Sequence, residues 1–259
     1  GGTEAHRGIL ERAMLGVGVP ILGFLPRDPA LAVESRHLGL KQASERNDLN
    51  DWIDVAARTV ASHLDLARIK QLARPAIERA ATGAVAIPPL GRHIAIARDE
   101  AFAFTYPHLL ASWAGEGAHL SYFSPLDDEK PDHTADAVYL PGGYPELHAG
   151  RIAANARFLT GLRDAAARNC AIYGECGGYM VLGRSLTDTD GIAHEMAGLL
   201  PLESSFAAPK LHLGYRRLTL ATDCALGLRG TEFRGHEFHY AVGLPDGMAE
   251  PLFSAKDAQ

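Results

Sequence analysis

The chain has 259 residues, 47% of them hydrophobic and 22% charged, with a formal net charge of −6. That balance builds a globular protein with a sizeable core, and the acidic surplus excludes the basic face that a nucleic-acid partner requires. Three cysteines, Cys170, Cys176 and Cys224, form no C-x-x-C pair; they point to a reducing, cytoplasmic setting without disulfide framework or zinc site, and no metal is expected. No apolar run approaches the ~18 residues of a membrane span, so no membrane partner is expected. The start, "GGTEAHRGIL", lacks a signal peptide's basic and apolar regions, and also an initiator Met. The chain therefore reads as a piece of something longer.

Taken in chain order, "VPILGFLP" (19–26) predicts a short strand ended by Pro26, and 48–73 predicts helix, in two pieces, from apolar residues at three-to-four spacing. One strand and some helices make a thin core, as of the tail end of a larger domain. "ATGAVAIPPLGR" (81–92) reads as a linker, dividing the chain into 1–85 and 90–259. Beyond it the pattern alternates: strand at 93–97, helix at 102–117 interrupted by Pro107, strands at 119–124 and 136–143, helix at 155–169 with Asn155 as N-cap, then the strand "CAIY". Strands alternating with helices predict an α/β fold with a mostly parallel sheet covered on both faces. The final third, with "YRRLTLA" (215–221) and "FRGHEFHYA" (233–241), is expected to be β-rich.

Functional groups in such sheets collect where strands end. "GECGG" (174–178) fits the G-x-nucleophile-x-G turn with cysteine in place of serine. Taken alone, a cysteine beside a glycine turn reads as a structural thiol. The preceding strand and Gly174, Gly177 and Gly178 favour a nucleophile at a helix N-terminus, where the dipole supports a thiolate. Cys170 and Cys224 lack such surroundings. A thiol nucleophile needs a base and oxyanion donors. Among twelve histidines, "GHEFHYA" (235–241) holds the best candidates, His236 and His239, which a strand would point to opposite faces. "LPGGYPE" (140–146) is the loop for backbone donors, although by itself it reads as a tight turn.

"PGGYPE", "YGECGG" and "GHEFHYA", in this order and spacing, resemble class I glutamine amidotransferase domains, which are flavodoxin-like α/β folds. Longer stretches, "ARDEAFAFTYPHLL" (97–110), "FSPLDDEKP" (123–131), "PGGYPELHAGRIAANARF" (141–158) and "LGYRR" (213–217), resemble the cobyrinic (hydrogenobyrinic) acid a,c-diamide synthase family of cobalamin biosynthesis. "GVPILGFLPRDPALAVESRHLGL" (18–40) resembles the end of that family's dethiobiotin-synthetase-like, ATP-dependent domain.

The resemblance implies a ligase that amidates the corrinoid a and c carboxylates with glutamine-derived ammonia. Cys176 matches the nucleophile, which forms a γ-glutamyl thioester, and His239 its base. Gly142, Gly143, Tyr144 and Gly177 match the oxyanion and glutamine-binding residues, and Glu34, Arg36 and His37 a motif expected near the corrinoid, or else solvated helix-cap residues. Many class I domains carry a Glu where this chain has Ala241, which leaves Glu237 as a weaker candidate to orient the imidazole. The family uses ATP and Mg²⁺, but G-x-x-x-x-G-K-[ST] occurs nowhere here, so the partners implied are glutamine, a corrinoid and a missing N-terminal synthetase domain, with a homodimer compatible. Cobyric acid synthase, nickel-sirohydrochlorin a,c-diamide synthase and a non-catalytic interaction module remain as alternatives.

Overall fold

A computed structural model describes residues 3–36, 39–75, 87–245 and 250–257. The chain divides into two compact units, Gly1–Ala84 and Val85–Gln259.

The first unit holds helix α1 (Glu4–Met14), a short antiparallel pair β1 (Ser35–Arg36) and β2 (Gly39–Leu40), and helices α2 (Leu49–His63) and α3 (Leu66–Leu72). The two helices answer to the expected 48–73 segment, divided where Leu64 turns extended. The expected strand at 19–26 does not form. Its one ladder contact is an isolated bridge from Gly23 to Leu64. Pro20 and Pro26 each remove a donor, and Gly23 sits at φ 140°, outside strand geometry. Half of the expected linker at 81–92, residues 81–86, lies outside the described residues.

The second unit is built on a parallel sheet of β3 (His93–Ala97), β4 (His119–Phe123), β5 (Ala137–Leu140) and β6 (Ala171–Gly174). Its order, β4-β3-β5-β6, is entirely parallel and is the flavodoxin-like arrangement. Alternating side chains feed two cores. Ala95, Ala97, Val138 and Leu140 face one way, against Ile152 of α5 (Ala149–Ala154), Phe158 and Leu162 of α6 (Ala156–Ala167), and Val181 of α7 (Gly177–Leu182). Ile94, Ile96, Ala137 and Tyr139 face the other way, against Trp113 of α4 (Pro107–Gly115). β3 and β5 are apolar nearly throughout because both faces are covered, whereas edge strand β4 leaves His119 and Tyr122 exposed.

Two smaller sheets follow. One is mixed, β12-β9-β7-β8, from β7 (Ser185–Thr187), β8 (Ala193–Glu195), β9 (Leu202–Ser205) and β12 (Val242–Pro245). The other is antiparallel, β11-β10-β13, from β10 (His212–Leu220), β11 (Glu232–His239) and β13 (Phe253–Asp257). Through Leu220, Phe233 and Phe253 the second of these joins the core on the Trp113 side.

Two local expectations are corrected. Pro107 does not interrupt a helix but begins one, at a first-turn position where its missing N–H has no intrahelical role. Asn155 does not cap α6 with its side chain, which instead donates its amide to the carbonyls of Pro125 and Leu126 at 2.7 and 3.0 Å. The cap comes from Asp128, whose carboxylate accepts from Phe158 N at 2.9 Å.

Trp113 is fully buried, donates its indole N–H to the Ile87 carbonyl at 3.1 Å and meets Tyr139 edge-on at 5.6 Å. Trp113→Ala is expected to lower unfolding free energy by about 3–5 kcal/mol, read as a shift of the denaturant midpoint by circular dichroism.

Candidate active site

β6 ends at Gly174, and two residues later Cys176 adopts φ 47°, ψ −108° as the residue preceding α7. Residues other than glycine rarely occupy that region, at a cost of roughly 1–3 kcal/mol, so the surroundings must impose it. They do so by backbone proximity. A Cβ on Gly178 would lie 2.0 Å from the Leu140 carbonyl oxygen, and one on Gly174 would lie 2.8 Å from Gly178 backbone atoms. The ends of β5 and β6 and the first turn of α7 therefore stack at a distance only glycine permits. The elbow expected from "GECGG" is present.

The loop after β5 closes on the thiol from the other side. Backbone N–H groups of Gly177 and Gly143 are near enough to the Cys176 sulfur to favour its anion. A Cβ on Gly142 would stand 3.3 Å from that of Cys176, and one on Gly143 would strike the Ala101 carbonyl at 2.0 Å. The loop is held by a bridge in which Phe104 N donates to the Gly142 carbonyl at 2.9 Å. Tyr144 is 1% exposed and packs edge-on against Phe104 at 5.1 Å, so its ring supports the loop from within.

Burial pushes the Cys176 thiol above its ordinary pKa. The Gly177 N–H opposes this, the carboxylates of Glu146 and Glu175 add to it, and the Gly143 N–H opposes it again. Desolvation and two acidic neighbours thus oppose the thiolate that a helix terminus favours. The thiol must be deprotonated by a base when it acts.

Those carboxylates, and Tyr106, are what the motif search passed over. Glu146, in the quoted "PGGYPE", is 4% exposed. Glu175 is likewise shifted upward by burial, against the hydrogen bonds of Tyr139 and Tyr173 and the charge of His236; Tyr139 Oη donates to its Oε2 at 3.1 Å. Tyr106 is raised by burial, then by Glu175 and Cys176. Their position in quoted motifs was a signal, but side-chain chemistry alone did not separate them from packing residues.

His239 ends β11 with its ring engaged on both sides. Nδ1 lies 2.9 Å from the Ala241 carbonyl oxygen, and Nε2 lies 2.9 Å from Glu237 Oε1. Glu237 is fixed in turn by Arg216, Nη2 to Oε2 at 2.5 Å. Where a triad glutamate was missing, the backbone of Ala241 and the side chain of Glu237 thus hold the imidazole. Both partners are acceptors, an arrangement that an imidazolium satisfies, and His239 hydrogen-bonds these two rather than the thiol. Glu237 is held below the usual carboxylate range first by His239, then by Arg216. His236 is exposed and alternates to the other face of the strand; its charge is the one that reaches Glu175.

In the first unit, Arg36 forks onto Glu45, Nη1 to Oε1 at 2.7 Å and Nη2 to Oε2 at 2.5 Å. Glu34 stands 3.6 Å from Lys41 and is mostly exposed. Arg36 thereby ties the β1–β2 pair to the turn at Ala43–Glu45. His37 lies outside the described residues.

Comparison with known proteins bears on this site directly. Residues 93–259 match the model of the CobB/CobQ-like glutamine amidotransferase domain, a stretch that includes the elbow, the glycine loop and β11. The chain belongs to that family. It is also 51% identical over 259 residues to the hydrogenobyrinate a,c-diamide synthase of Brucella anthropi, covering 99% of this chain and 58% of the relative. Its identity to the enzyme so named from Rhizobium meliloti is 50% over 259 residues, covering 99% of this chain and 59% of the relative. The chain thus spans somewhat more than half the length of these curated relatives. Among solved structures, "Structure of PurLQS from Thermotoga maritima" aligns at TM-score 0.44 and 17% identity, covering 64% of this chain and 75% of that one.

The ATP and Mg²⁺ implied by the family resemblance do not fit the residues described in the first unit. A nucleotide phosphate needs open helix N-terminal N–H groups and a glycine loop. Here α1 is capped by Thr3 and opens with Glu4, α2 follows Asp48 and carries Asp51 in its first turn, and the Asp65 carboxylate accepts from Arg68 N at α3. Those anionic groups would repel phosphate.

Because Glu146 opposes the Cys176 anion, Glu146→Gln is expected to speed alkylation of Cys176 by iodoacetamide several-fold at pH 8. The pH midpoint should move down, since a neutral amide no longer disfavours the thiolate. Peptide-resolved mass spectrometry checks this, with exposed Cys224 as internal reference.

Proposed function

We propose that this chain is the glutaminase part of an ATP-dependent amidotransferase that converts the a and c carboxylates of cobyrinic or hydrogenobyrinic acid to amides. The observation that carries it is the strained Cys176 in its glycine-flanked turn, with the Gly142–Gly143 loop closed against it. Residues 90–259 are the glutaminase in this reading, and 1–85 are the C-terminal remnant of a synthetase domain whose N-terminal portion would bind ATP and Mg²⁺. Names of relatives support the corrinoid substrate. Among the described residues no helix is long and apolar enough to cross a membrane, and a cytoplasmic setting is part of the proposal.

In the reaction, a base removes the Cys176 proton and the sulfur attacks the carboxamide carbon of glutamine. The carbonyl oxygen becomes an oxyanion held by the Gly143 and Gly177 N–H groups. Collapse expels ammonia, which takes its proton from the imidazolium, and leaves a γ-glutamyl thioester. Water activated by the same imidazole then releases glutamate and restores the thiol. His239 is the proposed base, with Nδ1 anchored on Ala241 and Nε2 to be released from Glu237 before each turnover. That need makes the chain alone a slow glutaminase, because misplacement by about 1 Å costs roughly a hundredfold. His236 is the second reading, favoured by its electrostatic reach to Glu175.

Purified chain incubated with glutamine is expected to release glutamate without ATP and to form no diamide from a corrinoid diacid with ATP. Cys176→Ser should abolish release, and diazo-oxo-norleucine should label Cys176 while sparing Cys170 and Cys224. His239→Asn should lose about 10²–10⁴-fold and His236→Asn far less; the reverse order would assign the base to His236. ATP-dependent diamide formation by this chain alone would overturn the division of labour.

A further inference from the structure

We propose that His212, Glu237 and His239 form a binding site for a divalent transition metal such as Zn²⁺, and that filling it shuts off the site by capturing His239; this second clause rests on the glutaminase reading above.

The antiparallel pairing sets His212 of β10 directly opposite His239 of β11, and Glu237, two residues earlier, lies on the same face. The pleat therefore sends all three side chains to one side. The two imidazoles stack at 4.8 Å with 10° between their planes. One donor atom from each residue lies within 4.8 Å of the other two. Zinc bonds of about 2.0–2.2 Å to imidazole nitrogen and carboxylate oxygen are reachable from such a triangle by small side-chain rotations.

Supports behind the ligands are already in place. Nδ1 of His239 lies 2.9 Å from the Ala241 carbonyl, and donating to it would leave a lone pair on Nε2 for a metal. Nε2 stands 2.9 Å from Glu237 Oε1, an approach that needs a proton or another positive centre between or beside the two atoms. A proton meets the need for these two alone and leaves His212 without a role; its ring makes no hydrogen bond among the described residues. A metal ion uses all three. Arg216 occupies only Oε2 of Glu237 and leaves Oε1 free to ligate, while Asp257, 2.8 Å from Arg216, offsets the guanidinium charge. Two imidazoles and one carboxylate suit Zn²⁺, Co²⁺ or Ni²⁺ better than Mg²⁺ or Ca²⁺. Glu237 and His239 side chains are about one-third exposed, which opens a path for the ion and a fourth position for water.

Zn²⁺ titrated calorimetrically into the full chain is expected to bind at one equivalent in wild type and in Cys176→Ser, and at least about tenfold more weakly in His212→Ala and in His212→Asn. Co²⁺ should give the visible bands of a tetrahedral site in the same proteins. Unchanged binding in both His212 variants, with native circular dichroism, would overturn the site, as would loss of binding in Cys176→Ser. Saturating Zn²⁺ should suppress glutamate release at least tenfold, reversibly by chelator, and His212→Ala should keep the metal-free rate and resist zinc. Zinc-insensitive release in wild type would overturn the inhibitory role. A chain inactive before zinc is added would count against the glutaminase reading, while the titration alone decides the metal site.

Discussion

Everything at the nucleophile depends on backbone packed against backbone. The Leu140 carbonyl at the end of β5, the turn after β6 and the first residues of α7 approach so closely that Gly174 and Gly178 admit no side chain. This contact holds Cys176 at a positive φ, with Gly142 of the neighbouring loop packed against its side chain. The sheet beneath has four parallel strands, the central two buried on both faces, whose C-terminal ends carry the loops. Strain at one residue persists because the core around it over-determines its conformation.

The electrostatics of the site run against the nucleophile at rest. Buried Glu146 and half-buried Glu175 lie near a thiol that burial already disfavours as an anion. Such a cysteine is protected from adventitious oxidation and alkylation, because the reactive species is the thiolate. Activity then depends on a base being brought to bear, and the base candidate is tied to Glu237 and, through it, to Arg216. A resting thiol and an occupied imidazole amount to a site whose parts are present but not yet engaged, which suits an ammonia-releasing reaction that is wasteful unless an acceptor is ready.

The same reasoning separates the two units. In the second, polar side chains converge on a strand end, and in the first, Arg36 and Glu34 pair with local partners, Glu45 and Lys41. Arg36 makes its fork with Glu45, an interaction that secures a turn and consumes most of the guanidinium's directional bonding.

By itself the sequence determined the α/β class, the parallel strands and the elbow, because these rest on local rules. Apolar runs of four or five residues between helices need two covered faces, and glycines flanking a cysteine after such a run need a tight turn. Also legible was the glycine loop at 142–143. Tertiary structure alone decided the rest. The segment 19–26, expected as a strand, pairs among the described residues only through the isolated Gly23–Leu64 bridge, and strands exist only by pairing. The cap of α6 comes from Asp128 rather than adjacent Asn155, since the segment at Pro125–Leu126 claims the nearer side chain. Of the two groups that hold the imidazole, Glu237 was a candidate from the sequence, whereas the Ala241 carbonyl carries no sequence signature. The convergence of His212 on His239, 27 positions apart, follows from strand register. Local rules see neighbours along the chain, whereas the direction of the thiol's pKa shift and the company of each imidazole are set by groups that only folding brings within a few ångströms.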